Sequence, residues 1–108
     1  MTGQRVLRVT GLPASPLDAA AHFHAAWLPQ ARGLSADLVL VLPAAGHDHR
    51  TWRLAMVQEL AREAAPYRVN AVAGDGEQTI ADTVAWLAQA PGVTGQLLTV
   101  DGNSPKMD

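Results

Sequence analysis

The sequence predicts an α/β fold: a Rossmann-like three-layer sandwich of about four parallel strands and three crossover helices, in the order βαβαβαβ. Short runs rich in valine and leucine alternate with longer stretches of helical periodicity, and connections of that length join parallel strands. The runs contain few polar residues, which is typical of strands covered by helices on both faces. Because 108 residues suffice for one core, we expect a single domain over residues 1–108.

The predicted strands are residues 5–9, 37–42, 67–72 and 96–100, and the predicted helices are residues 16–31, 49–64 and 77–90. Ser15 suits the N-cap of the first helix, and Pro16 suits its first position. Asp75 or Gly76 precedes the third helix, and Gln78 follows Asp75 at the spacing of a capping box. At the lengths given above, each predicted helix can connect one strand to the next across a face of the sheet.

The second predicted helix carries more apolar surface than one face of a sheet requires. At about 100° per residue its apolar side chains cover a wide arc, made of Leu54, Met56, Val57, Leu60, Ala61 and Ala64. Trp52 falls outside this arc, beside Glu59 and Glu63, and would remain in water unless another surface covers it. Two interpretations stay open: a partner protein covers Trp52, or the loop before its own helix does.

Composition and charge narrow the choice of partners. The formal net charge is −2 and the eight basic residues are spread along the chain, so we expect no surface for nucleic acid. The chain has no cysteine, which excludes disulfides and thiol nucleophiles. No apolar run approaches the roughly 18 residues of a membrane span, and the N-terminus lacks the pattern of a signal peptide. We therefore expect a cytoplasmic protein that binds neither nucleic acid nor membrane.

Two phrases of the sequence carry a resemblance to a known family. Residues 60–72 are L-A-R-E-A-A-P-Y-R-V-N-A-V, and residues 93–102 are V-T-G-Q-L-L-T-V-D-G. They resemble the sixth helix and strand, and the last strand, of short-chain dehydrogenases/reductases (SDRs), where L-A-x-E-x-A-P-x-x-x-R-V-N-A-V and V-T-G-Q-x-L-x-V-D-G are typical. The resemblance implies a truncated member that keeps the C-terminal half. Its first strand, residues 5–9, could match either the family's first strand or its fourth.

The resemblance also implies a cofactor site, because SDRs transfer hydride with NAD(P). Their glycine-rich turn after the first strand lets the backbone approach the pyrophosphate at a helix N-terminus. At the three glycine positions of that turn this chain has Gly11, Ser15 and Leu17. Since the last two carry side chains, we expect no bound dinucleotide, and we assign no cofactor-binding residue.

The family's catalytic serine, tyrosine and lysine are replaced as well. At the spacing of the family, those positions hold Pro43, Gly46 and Arg50. Arg50 keeps a positive charge, but a guanidinium without a phenol beside it has no proton transfer to assist. The sequence is therefore catalytically degenerate and favours a protein that is not an enzyme. We assign no catalytic residue.

The remaining candidates for chemistry are His47, Asp48 and His49, in the loop after the second predicted strand. The simplest interpretation is that Asp48 or His49 caps the second helix. Alternatively, the three could hold zinc if another element supplied a ligand, or His47 could replace the lost tyrosine as a proton donor. We assign no metal ligand. His22 and His24 point in nearly opposite directions on a helix and cannot bind one ion.

Three functions stay open. The first is a non-catalytic SDR-like protein that self-associates or serves as a partner subunit of a full-length SDR. Its expected contacts lie on the second helix and the last strand, which belong to the interfaces of the family: Trp52, Met56, Leu60, Leu97 and Thr99. The second is a residual NAD(P)-dependent oxidoreductase that completes its site with a partner chain. The third is a small anion- or metal-binding module on the loops at residues 47–50 and 74–77.

Overall fold

The computed structural model describes residues 3–100, so Asp101, Gly102 and the tail at residues 103–108 lie outside the described residues. The strands are β1 (Arg5–Arg8), β2 (Leu38–Pro43), β3 (Val69–Gly74) and β4 (Leu97–Thr99). All neighbouring pairs are parallel, in the order β1-β2-β3-β4. The predicted parallel α/β fold is confirmed, and each strand lies within two residues of its predicted position.

The helical connections also follow the prediction, with some differences at their ends. They are α1 (Pro16–His22), a π-helical segment (Phe23–Trp27), α2 (Leu28–Ala31), a 3₁₀ turn (His47–His49), α3 (Arg50–Ala64) and α4 (Glu77–Ala88). The Ser15 hydroxyl accepts a hydrogen bond from the Asp18 amide, so the predicted N-cap is confirmed. The predicted capping box at Gln78 is wrong, because this side chain donates to Asp82 instead. Among the described residues, none of the helices has the length and apolar character that a bilayer crossing requires.

One face of the sheet is covered by the first two helical connections. Every second residue of β2 and β3 points to this face, including Leu40 and Ala71, which lie side by side in register. They form the larger core together with residues of the π-helical segment and α3: Phe23, Met56, Val57 and Leu60. Phe23 and Val57 are fully buried, so this face is closed from solvent.

Among the described residues, α4 is the helix that covers the other face. Val39, Val41 and Val72 pack there against Ile80 and Leu87. The strands lie side by side in chain order, each to the same side of the one before. If all three crossover connections had the same handedness, their helices would therefore all lie on one face of the sheet. The connection from β3 through α4 to β4 therefore has the opposite hand to the first two, a departure from the strong preference for right-handed crossovers.

Trp52 is partly buried by its own chain. Its ring centroid lies 5.8 Å from that of Phe23, and its indole N–H donates to His49 Nδ1 over 3.2 Å, at the turn before α3. Met56 and Leu60, which we expected at a partner surface, are only 5% and 4% exposed. They belong to the core of the chain and offer almost no surface to a second protein.

Candidate functional site

The turn after β1 is occupied by its own side chains. Gly11 has a positive φ of 75°, but Ser15 uses its hydroxyl to bond the Asp18 amide at the start of α1. The Asp18 carboxylate also lies in this first turn, where it would repel a phosphate. Leu17 is 84% exposed at the last glycine position. At this helix N-terminus, Ser15 therefore already engages one backbone amide, and the Asp18 carboxylate adds a negative charge that disfavours a pyrophosphate.

A cleft of about 620 Å³ lies at the carboxyl ends of the strands. It is lined by the loop after β2, the start of α3 and the ends of β3 and β4, where sites of parallel α/β sheets gather. Gly46 and Arg50, the positions that the sequence analysis assigned to the family's tyrosine and lysine, both line it, as do Leu97 and Thr99. Pro43, which that analysis assigned to the position of the serine, ends β2 just beside this cleft.

Arg53 is the residue of the cleft that the sequence analysis missed. Its side chain lines the cleft and the residue is only 4% exposed. One guanidinium nitrogen, Nη1, donates to the Pro43 carbonyl over 2.9 Å, while the buried Nε has no partner. Burial lowers the pKa of the Arg53 guanidinium below its ordinary value. The sequence did contain a signal for the burial of Arg53. It precedes Met56 by three residues and Val57 by four, so it lies on the same face of α3 as these buried side chains.

His49 connects the start of α3 to the loop before α1. Its Nε2 lies 2.9 Å from the Ala14 carbonyl, and its Nδ1 accepts the bond from Trp52. A neutral ring with the proton on Nε2 satisfies both bonds. His49 is the N-cap residue of α3, one of the two predicted positions, but its side chain forms no capping hydrogen bond there. The buried His49 is thus a structural bridge, whereas His47 is exposed at the cleft.

Within residues 3–100, no group of three or more histidine, cysteine, aspartate or glutamate residues is arranged to hold a metal ion. His47, Asp48 and His49 follow one another along a single 3₁₀ turn, and His49 is engaged with Ala14 and Trp52. The third element that a zinc site would need is not among the described residues.

The two phrases that resemble the SDR family hold β3, β4 and the end of α4 together. The Asn70 side chain, 1% exposed, donates to the Val93 carbonyl and accepts from the Gln96 amide. The Thr94 hydroxyl accepts from the Val69 amide over 3.1 Å. Gly95 supplies the positive φ of 73° that this turn requires. Asn70, Thr94 and Gly95 therefore have structural roles, whereas the strand residues that follow them in the second phrase also line the cleft.

An all-parallel sheet with helices on both faces and a cleft at the carboxyl ends of its strands defines a Rossmann-like α/β domain. Residues 7–100 match the family described as SDR-like, short chain dehydrogenase-like protein. The chain belongs to this family, and the resemblance seen in the sequence is confirmed at that level. No curated protein and no solved structure matches the chain.

Proposed function

We propose that this chain is a non-catalytic member of its family that acts by pairing with a second copy of itself, or with a full-length SDR in the same manner. The contact surface is the outer edge of β4 together with the flank of α4 beside it. Trp86 is the observation that carries the proposal, because a tryptophan that is 55% exposed is the largest apolar side chain left open to solvent among the described residues.

The position of Trp86 on α4 directs it toward β4. Glu77 of α4 pairs with Arg8 of β1 over 3.2 Å, so that flank of the helix lies toward β1. Trp86 follows Glu77 by nine residues and therefore stands on the opposite flank of the helix. The opposite flank lies toward β4, the other edge of the sheet.

The edge of β4 is suited to pairing. Among the described residues no strand lies outside β4, so one side of its backbone is open to another chain. Leu98 points to the α4 face and is only partly buried. A two-fold axis perpendicular to the sheet at this edge would pair the two β4 strands antiparallel and keep both α4 helices, with their Trp86 side chains, on the same face, as in an isologous dimer.

The chemistry of the cleft supports a role without catalysis. Pro43 and Gly46 stand where the family has its serine and tyrosine, and neither carries a hydroxyl group. Arg50 is exposed at the lysine position. A protein that lacks the proton donor and the cofactor turn is expected to bind no NADPH, so millimolar NADPH should not raise its melting temperature.

Sedimentation velocity tests the pairing. We expect a dimer at micromolar concentration, and we expect Trp86→Glu to convert it to a monomer because a charge would be buried in the contact. Leu17→Glu is the matched control, since Leu17 is 84% exposed on α1, and it should leave the dimer intact. A stable monomer, both alone and mixed with a full-length SDR, would contradict the proposal, and so would an equal effect of the two substitutions.

A further inference from the structure

Among the described residues, the buried guanidinium of Arg53 has no counter-charge. Within residues 3–100 it forms no ion pair with a carboxylate, and its only hydrogen bond joins Nη1 to the Pro43 carbonyl. The Trp52 ring, whose centroid lies 5.6 Å from Arg53 Cζ, offers only a weak attraction. A buried charge in such surroundings lowers stability unless an opposite charge joins it. This guanidinium therefore favours an anion.

The cleft in front of Arg53 has the shape and charge to admit one. Its volume of about 620 Å³ lies within the range of small-molecule sites. Two arginines line it and, among the described residues, no aspartate or glutamate does. Part of the wall is apolar, formed by Ala44, Ala73 and Leu97. Positive charge beside an apolar wall is the arrangement that a small organic anion requires.

We propose that this cleft binds a small organic anion, a carboxylate or a phosphate ester. Its charged group pairs with Arg53, and its carbon part lies against Ala44, Ala73 and Leu97. Arginine suits this task because its planar fork matches the oxygens of carboxylates and phosphates. Arg50, exposed at the rim, adds a second positive charge that attracts the ligand. The site does not depend on self-association, because all of these residues belong to one chain.

Benzoate, phenyl phosphate and the neutral benzamide test the requirement for charge. Each is titrated into ¹⁵N-labelled full-length protein, and the Nε–H signal of Arg53 is followed by NMR. We expect benzoate or phenyl phosphate to shift this signal in the millimolar range. Benzamide should bind about tenfold more weakly or worse, since its amide has no negative charge and only one oxygen to accept from the guanidinium. Equal binding of benzamide, or no shift with either anion, would overturn the proposal.

Two variants locate the site. Arg53→Met keeps an unbranched apolar side chain in the same space and should abolish anion binding, whereas Arg50→Met at the exposed rim should weaken it only slightly. Because the Arg53 variants lack the Nε–H signal, binding to all variants is followed through the backbone amide signals of the residues that line the cleft. Arg53→Lys keeps the charge and serves if the methionine variant does not fold; it should bind the anion more weakly than the native protein. Unchanged binding in a folded Arg53 variant would overturn the proposal. So would anion binding that appears only in Asp101→Asn or Asp108→Asn, because the chain's own carboxylate would then be the partner of Arg53.

Discussion

Replacing Arg68 by methionine should strongly destabilise the fold, because this side chain joins three elements. Its Nη2 lies 2.9 Å from Asp37 Oδ2, just before β2. Its Nη1 donates to the Leu87 and Ala90 carbonyls at the end of α4, over 2.9 and 2.7 Å. The Arg68 side chain is only 14% exposed, so water replaces these bonds poorly once the guanidinium is removed. Methionine keeps most of the aliphatic packing, so the substitution mainly removes the charge and its hydrogen bonds.

The size of the effect follows from the bonds that are lost. Breaking one partner of a buried pair costs about 3–5 kcal/mol, and a hydrogen bond from a charged donor contributes about 1.5–3 kcal/mol. These contributions overlap, and the Asp37 side chain is 31% exposed, so water partly solvates it after the substitution. We therefore expect Arg68→Met to lower the free energy of unfolding by about 3 kcal/mol.

Urea unfolding followed by circular dichroism measures this loss. Arg32→Met is the matched control, because Arg32 also pairs with a carboxylate, that of Glu63, but the two side chains are 53% and 50% exposed. An ion pair in water contributes little, so the control should shift the unfolding midpoint far less. If the two substitutions destabilised the protein equally, the link that we assign to Arg68 would be refuted.

Two further predictions concern a close backbone contact and an exposed ion pair. Gly74→Ala should lower the free energy of unfolding, measured in urea, by about 1–3 kcal/mol, because a methyl group there would overlap the Val100 backbone oxygen. Gly92→Ala is the control and should be nearly neutral, because nothing lies within 4 Å of an added methyl group there. A larger loss of stability in Gly92→Ala than in Gly74→Ala would contradict this. The hydrogen bond from Arg32 and its charge hold the pKa of the Glu63 carboxyl below its ordinary value, so their stabilising effect is present above the ordinary pKa and is lost as the pH falls through the lowered pKa. An NMR titration should show the Glu63 midpoint rising toward the ordinary value in Arg32→Met, and an unchanged midpoint would refute the assignment.

Much of the fold could be predicted from local patterns. The apolar runs placed β2 and β3 within two residues of their observed positions, and Ser15 marked the start of the first helix correctly. Local patterns were less reliable where a long-range bond competes. The predicted strand begins one residue later than residue 37, where the Arg68 amide bonds the Asp37 carboxylate instead of a backbone carbonyl of β2. At Gln78 the competing bond is local, because this side chain bonds Asp82 one turn along rather than the helix N-terminus.

The sequence indicated only part of the candidate site. The family spacing indicated Gly46 and Arg50, and both line the cleft. Arg53 was overlooked because a charged residue is expected on the solvent side of a helix, although its spacing from Met56 and Val57 indicated otherwise. Its missing counter-charge depends on the neighbours that the folded chain brings together. No sequence pattern shows that.

By itself the sequence determined the alternation of strands and helices, because the periods of two and of 3.6 residues are local properties of the chain. Only the tertiary structure decided where the last helix lies. The common handedness of crossovers would place α4 on the same face as α3, yet the valines at positions 39, 41 and 72 require an apolar cover on the opposite face. Ile80 and Leu87 supply that cover, and the bonds of Arg68 to the end of α4 hold it there.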